Sequence, residues 1–184
     1  MRSRIAALVR GERGYSIVEL MVSMAILGTV MTSLSALLVS ATNSEVDMNR
    51  RFQAQTQARI GLDRLRREVH CAMSVAPTGA SASVTLTIPD TCPTAGGLTA
   101  ITWCSVANGT NRWDLWRYEG SSCSGTGRKF ADHLTASSIF VYTPQSTSKL
   151  ATLNVRLPIN VTPADTSALY TLDDDIVLRN STRT

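Results

Sequence analysis

The first hydrophobic feature of the chain is a run of residues between Leu20 and Ser44 that contains no charged side chain. The run is rich in Leu, Val, Met, Ala and Ile. As a helix it is long enough to cross a hydrocarbon core of about 30 Å. The pattern therefore predicts a membrane-spanning helix over residues 15–44.

The helical period continues beyond this run, because no Pro occurs between Glu45 and Met73. Apolar residues recur there in steps of three and four, which predicts an amphipathic helix over residues 45–76. The apolar stripe consists of Ala58, Leu62, Leu65, Val69 and Met73. The opposite face is expected to carry Arg50, Arg51, Arg59, Asp63, Arg64, Arg66, Arg67 and Glu68. Gly61, beside the stripe, would allow a sheet to approach closely.

After Pro77 and Gly79 the pattern changes to alternation of apolar and polar residues, which is typical of strands. Asn-Gly within residues 107–111 predicts a hairpin turn. The predicted strands are 84–88, 101–104, 112–119, 138–142, 150–157 and 176–179, with a Ser/Gly loop over 120–127. Short turns between strands favour an antiparallel sheet over residues 77–184 with one face packed on the helix, an α+β fold.

The formal net charge of +4 is concentrated at the start of the chain of 184 residues. Residues 1–14 contain four arginines and one glutamate, a net of +3, which leaves 14 basic and 13 acidic residues, a net of +1, in the remainder. When arginines flank one end of a first membrane span, that end tends to remain on the cytoplasmic side. We therefore expect a single-pass protein with residues 1–14 inside and one domain outside.

All four cysteines lie beyond the predicted span, at Cys71, Cys92, Cys104 and Cys123. An even count outside the cytoplasm predicts two disulfides, and four cysteines allow three pairings. Cys104 with Cys123 is easy to form across the hairpin, and Cys71 with Cys92 would then tie the helix end to the first loop. Successive cysteines are separated by 20, 11 and 18 residues, whereas zinc sites use closely spaced pairs.

Glu19 does not fit a plain membrane anchor, because it lies about one helical turn inside the apolar segment. A carboxylate at that depth costs roughly 2.5 to 3.5 kcal/mol and requires a partner. Cleavage between Gly14 and Tyr15 would create an α-amino group at the head of the same helix. That amino group is the nearest candidate partner.

Residues 10–44 resemble the prepilin signature of the type IV pilin superfamily. The shared features are a short basic leader that ends in Gly14, an aromatic residue at Tyr15 where Phe is usual, Glu19 four positions later, and an apolar helix. The resemblance implies that a prepilin peptidase cleaves after Gly14 and methylates the amino group of Tyr15. It also implies that Glu19 neutralises the N-terminus of a neighbouring subunit during filament assembly.

The resemblance further implies a set of partners and a location. The partners are other pilin subunits bound through the N-terminal helix, the prepilin peptidase, an inner-membrane assembly platform and the membrane itself. The protein would lie in the cell membrane before assembly and in an extracytoplasmic or cell-surface filament afterwards. The segments 115–118 and 176–180 are similar to the C-terminal domains of larger minor pilins and of minor pseudopilins of type II secretion.

Other residues give little indication of catalysis, and no cofactor or metal is expected. His70 and His133 are interpreted as surface histidines, the chain lacks a G-x-S-x-G motif, and the loop at residues 120–129 lacks a phosphate-loop motif. Asp173, Asp174 and Asp175 are expected in a solvated turn rather than a calcium site, because consecutive carboxylates point in different directions.

The helix arginines could contact phosphates, but their alternation with Asp63 and Glu68 does not favour nucleic-acid binding. The sequence thus favours a structural subunit of the minor pilin kind rather than an enzyme. One alternative is a type II secretion pseudopilin. Another is a signal-anchored protein with an extracytoplasmic binding domain, which predicts no cleavage at Gly14 and no effect of Glu19.

Overall fold

The structure is a computed structural model that describes residues 14–93, 96–162 and 169–180. Residues 1–13 of the predicted leader lie outside the described residues. The chain divides into two compact units, Met1–Asp47 and Met48–Thr184. A single helix, α1 (Ile17–Cys71), contributes residues to both units.

In its described part, the first unit is the beginning of α1, and its large apolar side chains are exposed. The part of α1 in this unit contains no Pro and a single Gly, Gly28, and its many Leu, Met and Ala residues have high helix propensity. Around Gly28 a Cβ would meet nothing within 4 Å. The apolar surface of this unit therefore has no partner within the described chain.

In its described residues, the second unit combines the remainder of α1 with nine strands that pair only in the antiparallel sense. The strands are β1 (Ser74–Ala76), β2 (Gly79–Ser81), β3 (Ser83–Thr87), β4 (Ala100–Ala107), β5 (Trp113–Glu119), β6 (Gly127–Leu134), β7 (Phe140–Thr143), β8 (Thr152–Ile159) and β9 (Tyr170–Val177). The predicted α+β arrangement, a long helix packed on an antiparallel sheet, is confirmed.

The sheet curls back on itself. Its strand order is β1-β3-β4-β5-β6-β8-β7-β2, and β9 pairs with β8 beside this path. The first and last strands of the path are consecutive in sequence, joined only by Pro77 and Thr78. Because this connection spans at most about 11 Å between Cα atoms, the two ends of the path must lie close together.

The core of the second unit lies between the concave face of the sheet and one face of α1. The helix contributes small and aliphatic side chains at Ala54, Ala58, Leu62, Leu65 and Val69. The sheet contributes larger ones, and those that are fully buried include Trp103, Leu115, Phe140, Leu153 and Leu157. Burial of each large side chain contributes about 1.5 to 3 kcal/mol, so this interface stabilises the unit.

Gly61 faces the sheet, as the apolar stripe predicted. A Cβ at this position would lie 3.0 Å from Cβ of Phe130 and 3.5 Å from Cδ2 of Leu115. A side chain would therefore push the helix away from β5 and β6. The absence of a side chain brings the helix backbone close to the sheet.

The end of the helix differs from the prediction. The helix ends at Cys71 rather than continuing to residue 76, and Met73 is 41% exposed instead of extending the buried stripe. The N–H of Met73 donates to the carbonyl of Thr87 at 2.8 Å. A hydrogen bond to the end of β3 therefore replaces the last predicted helical turn. Ala72, rather than Met73, is buried after the end of the helix.

The predicted strand list was incomplete. The short strands β1 and β2 were not predicted, and β6 was not predicted because bulges opposite Trp113, Leu115 and Trp116 interrupt its alternation. The hairpin turn is confirmed, with positive φ at Gly109 and Asn111. The three consecutive aspartates do not form a turn, because Asp173, Asp174 and Asp175 lie within β9.

Candidate functional site

The head of α1 is formed by residues 14–19. The helix begins at Ile17, and the N–H of Leu20 donates to the carbonyl of Ser16 at 3.1 Å, which places Ser16 at the N-cap. Glu19 is then the third helical residue, and Ser-x-x-Glu is the spacing of a capping box. Its carboxylate also lies in the first turn, where the helix dipole favours negative charge. Interpreting Glu19 only as an intramembrane charge did not consider this spacing from Ser16.

The bond between Gly14 and Tyr15 lies outside the helix. Tyr15 is 83% exposed, and a Cβ at Gly14 would meet nothing within 4 Å. Exposed segments outside regular structure are the preferred sites of proteolysis. A peptidase could therefore reach this bond without unwinding any turn of α1.

No described residue forms an ion pair with Glu19. The nitrogen of Tyr15 is an uncharged amide while the chain is intact at Gly14, and it becomes a charged amine only after cleavage. The partner inferred from the sequence is therefore not available to Glu19 in the intact chain.

The apolar part of α1 satisfies the requirements of a membrane span by length and composition. An 18-residue window reaches a mean hydropathy of 2.0 and is 0% buried. Six of its hydroxyl groups donate to backbone carbonyls three or four residues earlier, at 2.8 to 3.0 Å. The residues that do so are Ser23, Thr29, Thr32, Ser33, Ser35 and Thr42. These six polar side chains are thus hydrogen-bonded within the helix, as a hydrocarbon environment requires.

Two disulfides fix the second unit, and they join the pairs that the sequence favoured. Cys71 pairs with Cys92, and Cys104 pairs with Cys123, each with 6.0 Å between the Cα atoms. The first ties the end of α1 to the segment after β3. The second holds the Ser/Gly loop against β4, where Thr102 donates a hydrogen bond of 2.8 Å to the carbonyl of Gly120.

A buried carboxylate at the interface of helix and sheet was not anticipated. Glu68, expected on the polar face, is 0% exposed. Its Oε1 accepts from Nε of Arg117 at 2.8 Å and from Nε of Arg64 at 2.9 Å, and its Oε2 accepts from Nε1 of Trp103 at 2.8 Å. The carboxylate is therefore both neutralised and hydrogen-bonded, which buried charges require. The partners on the sheet lie 35 and 49 residues away, so helical periodicity alone did not indicate them.

The histidines have structural partners. Nδ1 of His70 lies 3.0 Å from the carbonyl oxygen of Val177. His133 has a positive φ of 60°, and its Nδ1 is in hydrogen-bond contact with Nη1 of Arg112. Within the described ranges, no group of three or more His, Cys, Asp or Glu side chains is arranged to hold a metal ion.

The aspartates of β9 point to two faces of the sheet. Asp173 and Asp175 each accept a hydrogen bond from the side-chain amide of Asn154, at 2.8 and 3.0 Å. Asp174 points toward α1 and pairs with Nη2 of Arg66 at 2.8 Å. Their directions alternate because successive side chains of a strand face opposite sides.

Residues 9–35 match the family model of the prokaryotic N-terminal methylation motif. The match covers the head of α1 and the first part of the apolar run, including Gly14, Tyr15 and Glu19. Searches of curated proteins and of solved structures found no match. Residues 9–35 therefore carry the type IV prepilin signature, which supports a type IV pilin-like prepilin in general and does not distinguish a minor pilin from a pseudopilin.

Proposed function

We propose that this protein is a structural subunit of the minor pilin kind, assembled into a type IV pilus or a related filament. The observation that carries the proposal is the match of residues 9–35 to the methylation motif at the head of an exposed apolar helix. Type IV pilins are a structural, non-enzymatic family. A type II secretion pseudopilin is the second candidate, because the same motif serves both.

The proposed processing consists of cleavage and methylation just before the start of α1. The leader of residues 1–14 stays in the cytoplasm, and prepilin peptidase cleaves after Gly14 and methylates the new amino group of Tyr15. The exposed, non-helical position of this bond supports the step. Residues 15–44 then anchor the subunit, residues 45–71 continue the helix, and the chain after Cys71, which includes strand β1 (Ser74–Ala76), forms the extracytoplasmic domain.

Assembly requires the apolar part of α1 to leave the lipid and to pack against neighbouring subunits. All of its side chains are exposed within the chain, so neighbouring helices can replace the acyl chains around it. The charge of Glu19 would be costly in that apolar core unless a cation neutralised it. The amino group of Tyr15 of a neighbouring subunit is the proposed cation, and the assembly platform in the inner membrane is the proposed partner that extracts the subunit.

Two substitutions at Glu19 separate its charge from its role in the helix cap. Gln retains a side chain that can complete the capping box, whereas Ala does not, and neither can neutralise an amine. We expect Glu19→Gln and Glu19→Ala to leave the amount of protein in the membrane unchanged. Both should lower the amount in the sheared filament fraction at least tenfold, measured by quantitative immunoblotting.

Glu45→Gln is the matched control, because it removes a carboxylate from an exposed position on the same helix beyond the uncharged run. It should assemble like the wild type. Normal incorporation of Glu19→Gln alongside loss of Glu19→Ala would assign Glu19 to helix capping and would contradict the proposed charge pairing.

A further inference from the structure

A cleft of about 400 Å³ lies in the second unit between α1 and the paired strands β5 and β6. Its walls carry four arginines and one glutamate. The lining residues are Ile60, Arg64, Arg67, Arg117, Glu119, Thr126, Gly127, Arg128 and Phe130. None of these residues belongs to the N-terminal motif or to a disulfide, so the proposed function leaves the cleft without a role.

Two of the arginines are held in place by the buried carboxylate. Arg64 and Arg117 both donate their Nε–H to Oε1 of Glu68. Nη1 of Arg117 lies 3.9 Å from Oε1 of Glu119, at the limit of an ion pair. Glu68 fixes the geometry of both guanidinium groups, and the two arginines together with Glu68 and Glu119 have no net formal charge.

The other two arginines have no carboxylate partner among the described residues. Nε of Arg67 donates to the backbone carbonyl of Asp63 at 3.2 Å, a bond that orients the guanidinium without neutralising it. The guanidinium carbon of Arg128 lies 5.4 Å from the centre of the Phe130 ring. A cation over an aromatic face also keeps its charge. With four arginines against Glu119 and Glu68, the cleft and Glu68 together have a net charge of +2.

We propose that this cleft binds the carboxylate groups of an acidic, partly apolar peptide segment on a partner protein. Guanidinium groups match carboxylates with paired hydrogen bonds, and here they are already oriented. Ile60, 56% exposed at the cleft, and the ring of Phe130 supply apolar contacts beside the arginines. An acidic segment with one apolar side chain fits both features.

A nucleic acid fits the same cleft less well. Its binding depends mainly on electrostatic attraction between many phosphates and a basic surface. Here Glu119 lines the cleft, and the chain after residue 14 has a net charge of only +1. The proposal rests on residues 60–130 alone, so it stands or falls independently of cleavage and methylation at the N-terminus.

The test uses the full-length chain, labelled with nitrogen-15, in micelles of a non-ionic detergent. A blocked peptide of sequence Gly-Asp-Leu-Asp-Gly is titrated while the arginine Nε–Hε signals are followed by nuclear magnetic resonance. The same peptide with Asn in place of Asp and a short single-stranded deoxythymidine oligonucleotide are titrated in parallel. The Asp peptide should shift the arginine signals, and the Asn peptide should leave them unchanged.

Two matched pairs of substitutions locate the binding. Arg67→Gln with Arg128→Gln removes the two arginines that do not contact Glu68, so the buried cluster remains. Arg156→Gln with Arg179→Gln removes the same charge from positions that do not line the cleft. The cleft pair should weaken binding of the Asp peptide at least tenfold, and the control pair should change it less than twofold, with unchanged thermal midpoints in both.

Three results would overturn the proposal. The first is an absence of any shift in the arginine signals of the wild type at saturating Asp peptide. The second is an equal loss of binding in the cleft pair and the control pair, which would indicate general charge attraction. The third is that the oligonucleotide binds more tightly than the Asp peptide and that its binding is lost when Arg67 and Arg128 are replaced. This result would assign the cleft to nucleic acid.

Discussion

The indole Nε1 of Trp103 donates a hydrogen bond of 2.8 Å to Oε2 of Glu68, and both residues are 0% exposed. The bond joins β4 to α1 in the middle of the core. The second oxygen of the same carboxylate accepts from Arg117 on β5. A single glutamate thus connects the helix to two neighbouring strands.

Loss of this carboxylate should destabilise the second unit strongly. Glu68→Ala removes three hydrogen bonds and leaves the guanidinium of Arg117, which is 11% exposed, with Glu119 at 3.9 Å as its remaining counter-charge among the described residues. Breaking a buried pair in this way costs about 3 to 5 kcal/mol. The free energy of unfolding can be measured by denaturant titration, because all three tryptophans lie in the second unit and their fluorescence reports on it alone.

Two companion variants sharpen this prediction. Asp63→Ala removes a 63% exposed carboxylate from the same helix and should cost less than about 1 kcal/mol, as surface ion pairs do. Glu68→Met combined with Arg117→Met should be more stable than Glu68→Met alone, because no buried charge remains unpaired. A cost below about 1 kcal/mol for Glu68→Ala would show that the buried cluster does not hold helix and sheet together.

A side chain at Gly61 should separate the helix from the sheet. A Cβ there would lie only 3.0 Å from Phe130 and 3.5 Å from Leu115, which leaves no room for further atoms. We expect Gly61→Val to lower the free energy of unfolding by about 1 to 3 kcal/mol, the usual cost of overpacking. Thr56→Val places the same β-branched side chain at an exposed position of α1 and should change stability by no more than about 0.5 kcal/mol. Equal effects of the two substitutions would contradict close packing at Gly61.

Each disulfide should stabilise the second unit by a similar amount. The sequence separations of 21 and 19 residues give about 3 kcal/mol each from the reduced entropy of the unfolded chain. We therefore expect Cys71→Ser with Cys92→Ser, and Cys104→Ser with Cys123→Ser, to lower the unfolding free energy to a comparable extent.

Hydrogen exchange distinguishes the two disulfides. Loss of the Cys104–Cys123 pair should speed exchange in the segment 120–126 and around Thr102, because the loop is no longer held on β4. Loss of the Cys71–Cys92 pair should instead affect the end of α1. If neither pair of substitutions lowers the free energy of unfolding by more than about 1 kcal/mol, the predicted stabilisation of about 3 kcal/mol by each disulfide is wrong.

The sequence predicted those features that depend on nearby residues. The membrane span and the stripe from Ala58 to Val69 follow from local periodicity, and the prepilin signature lies within one short segment. Glu68 could not be placed from the sequence, because its burial depends on Trp103 and Arg117, which the chain brings to the helix only when the sheet forms.

The same distinction explains the missed strands. Bulges in strand β6 interrupt its alternation of apolar and polar residues. Its polar residues 128 and 129 therefore resemble a continuation of the preceding loop. The acidic run in β9 has the composition of a turn, but Asn154 and Arg66 supply partners on opposite faces. Tertiary partners therefore override local propensity at these positions.

The central claim concerns the N-terminus, and mass spectrometry of the N-terminal peptide tests it most directly. The protein should be isolated from membranes and from a sheared surface fraction, with Gly14→Val as a control that blocks cleavage. We predict a peptide that begins at Tyr15 and carries one methyl group in the wild type, and an intact leader in the Gly14→Val variant. If the wild-type protein retains residues 1–14 in both fractions, cleavage after Gly14 does not occur. That result would contradict the proposed prepilin processing and would favour a signal-anchored protein.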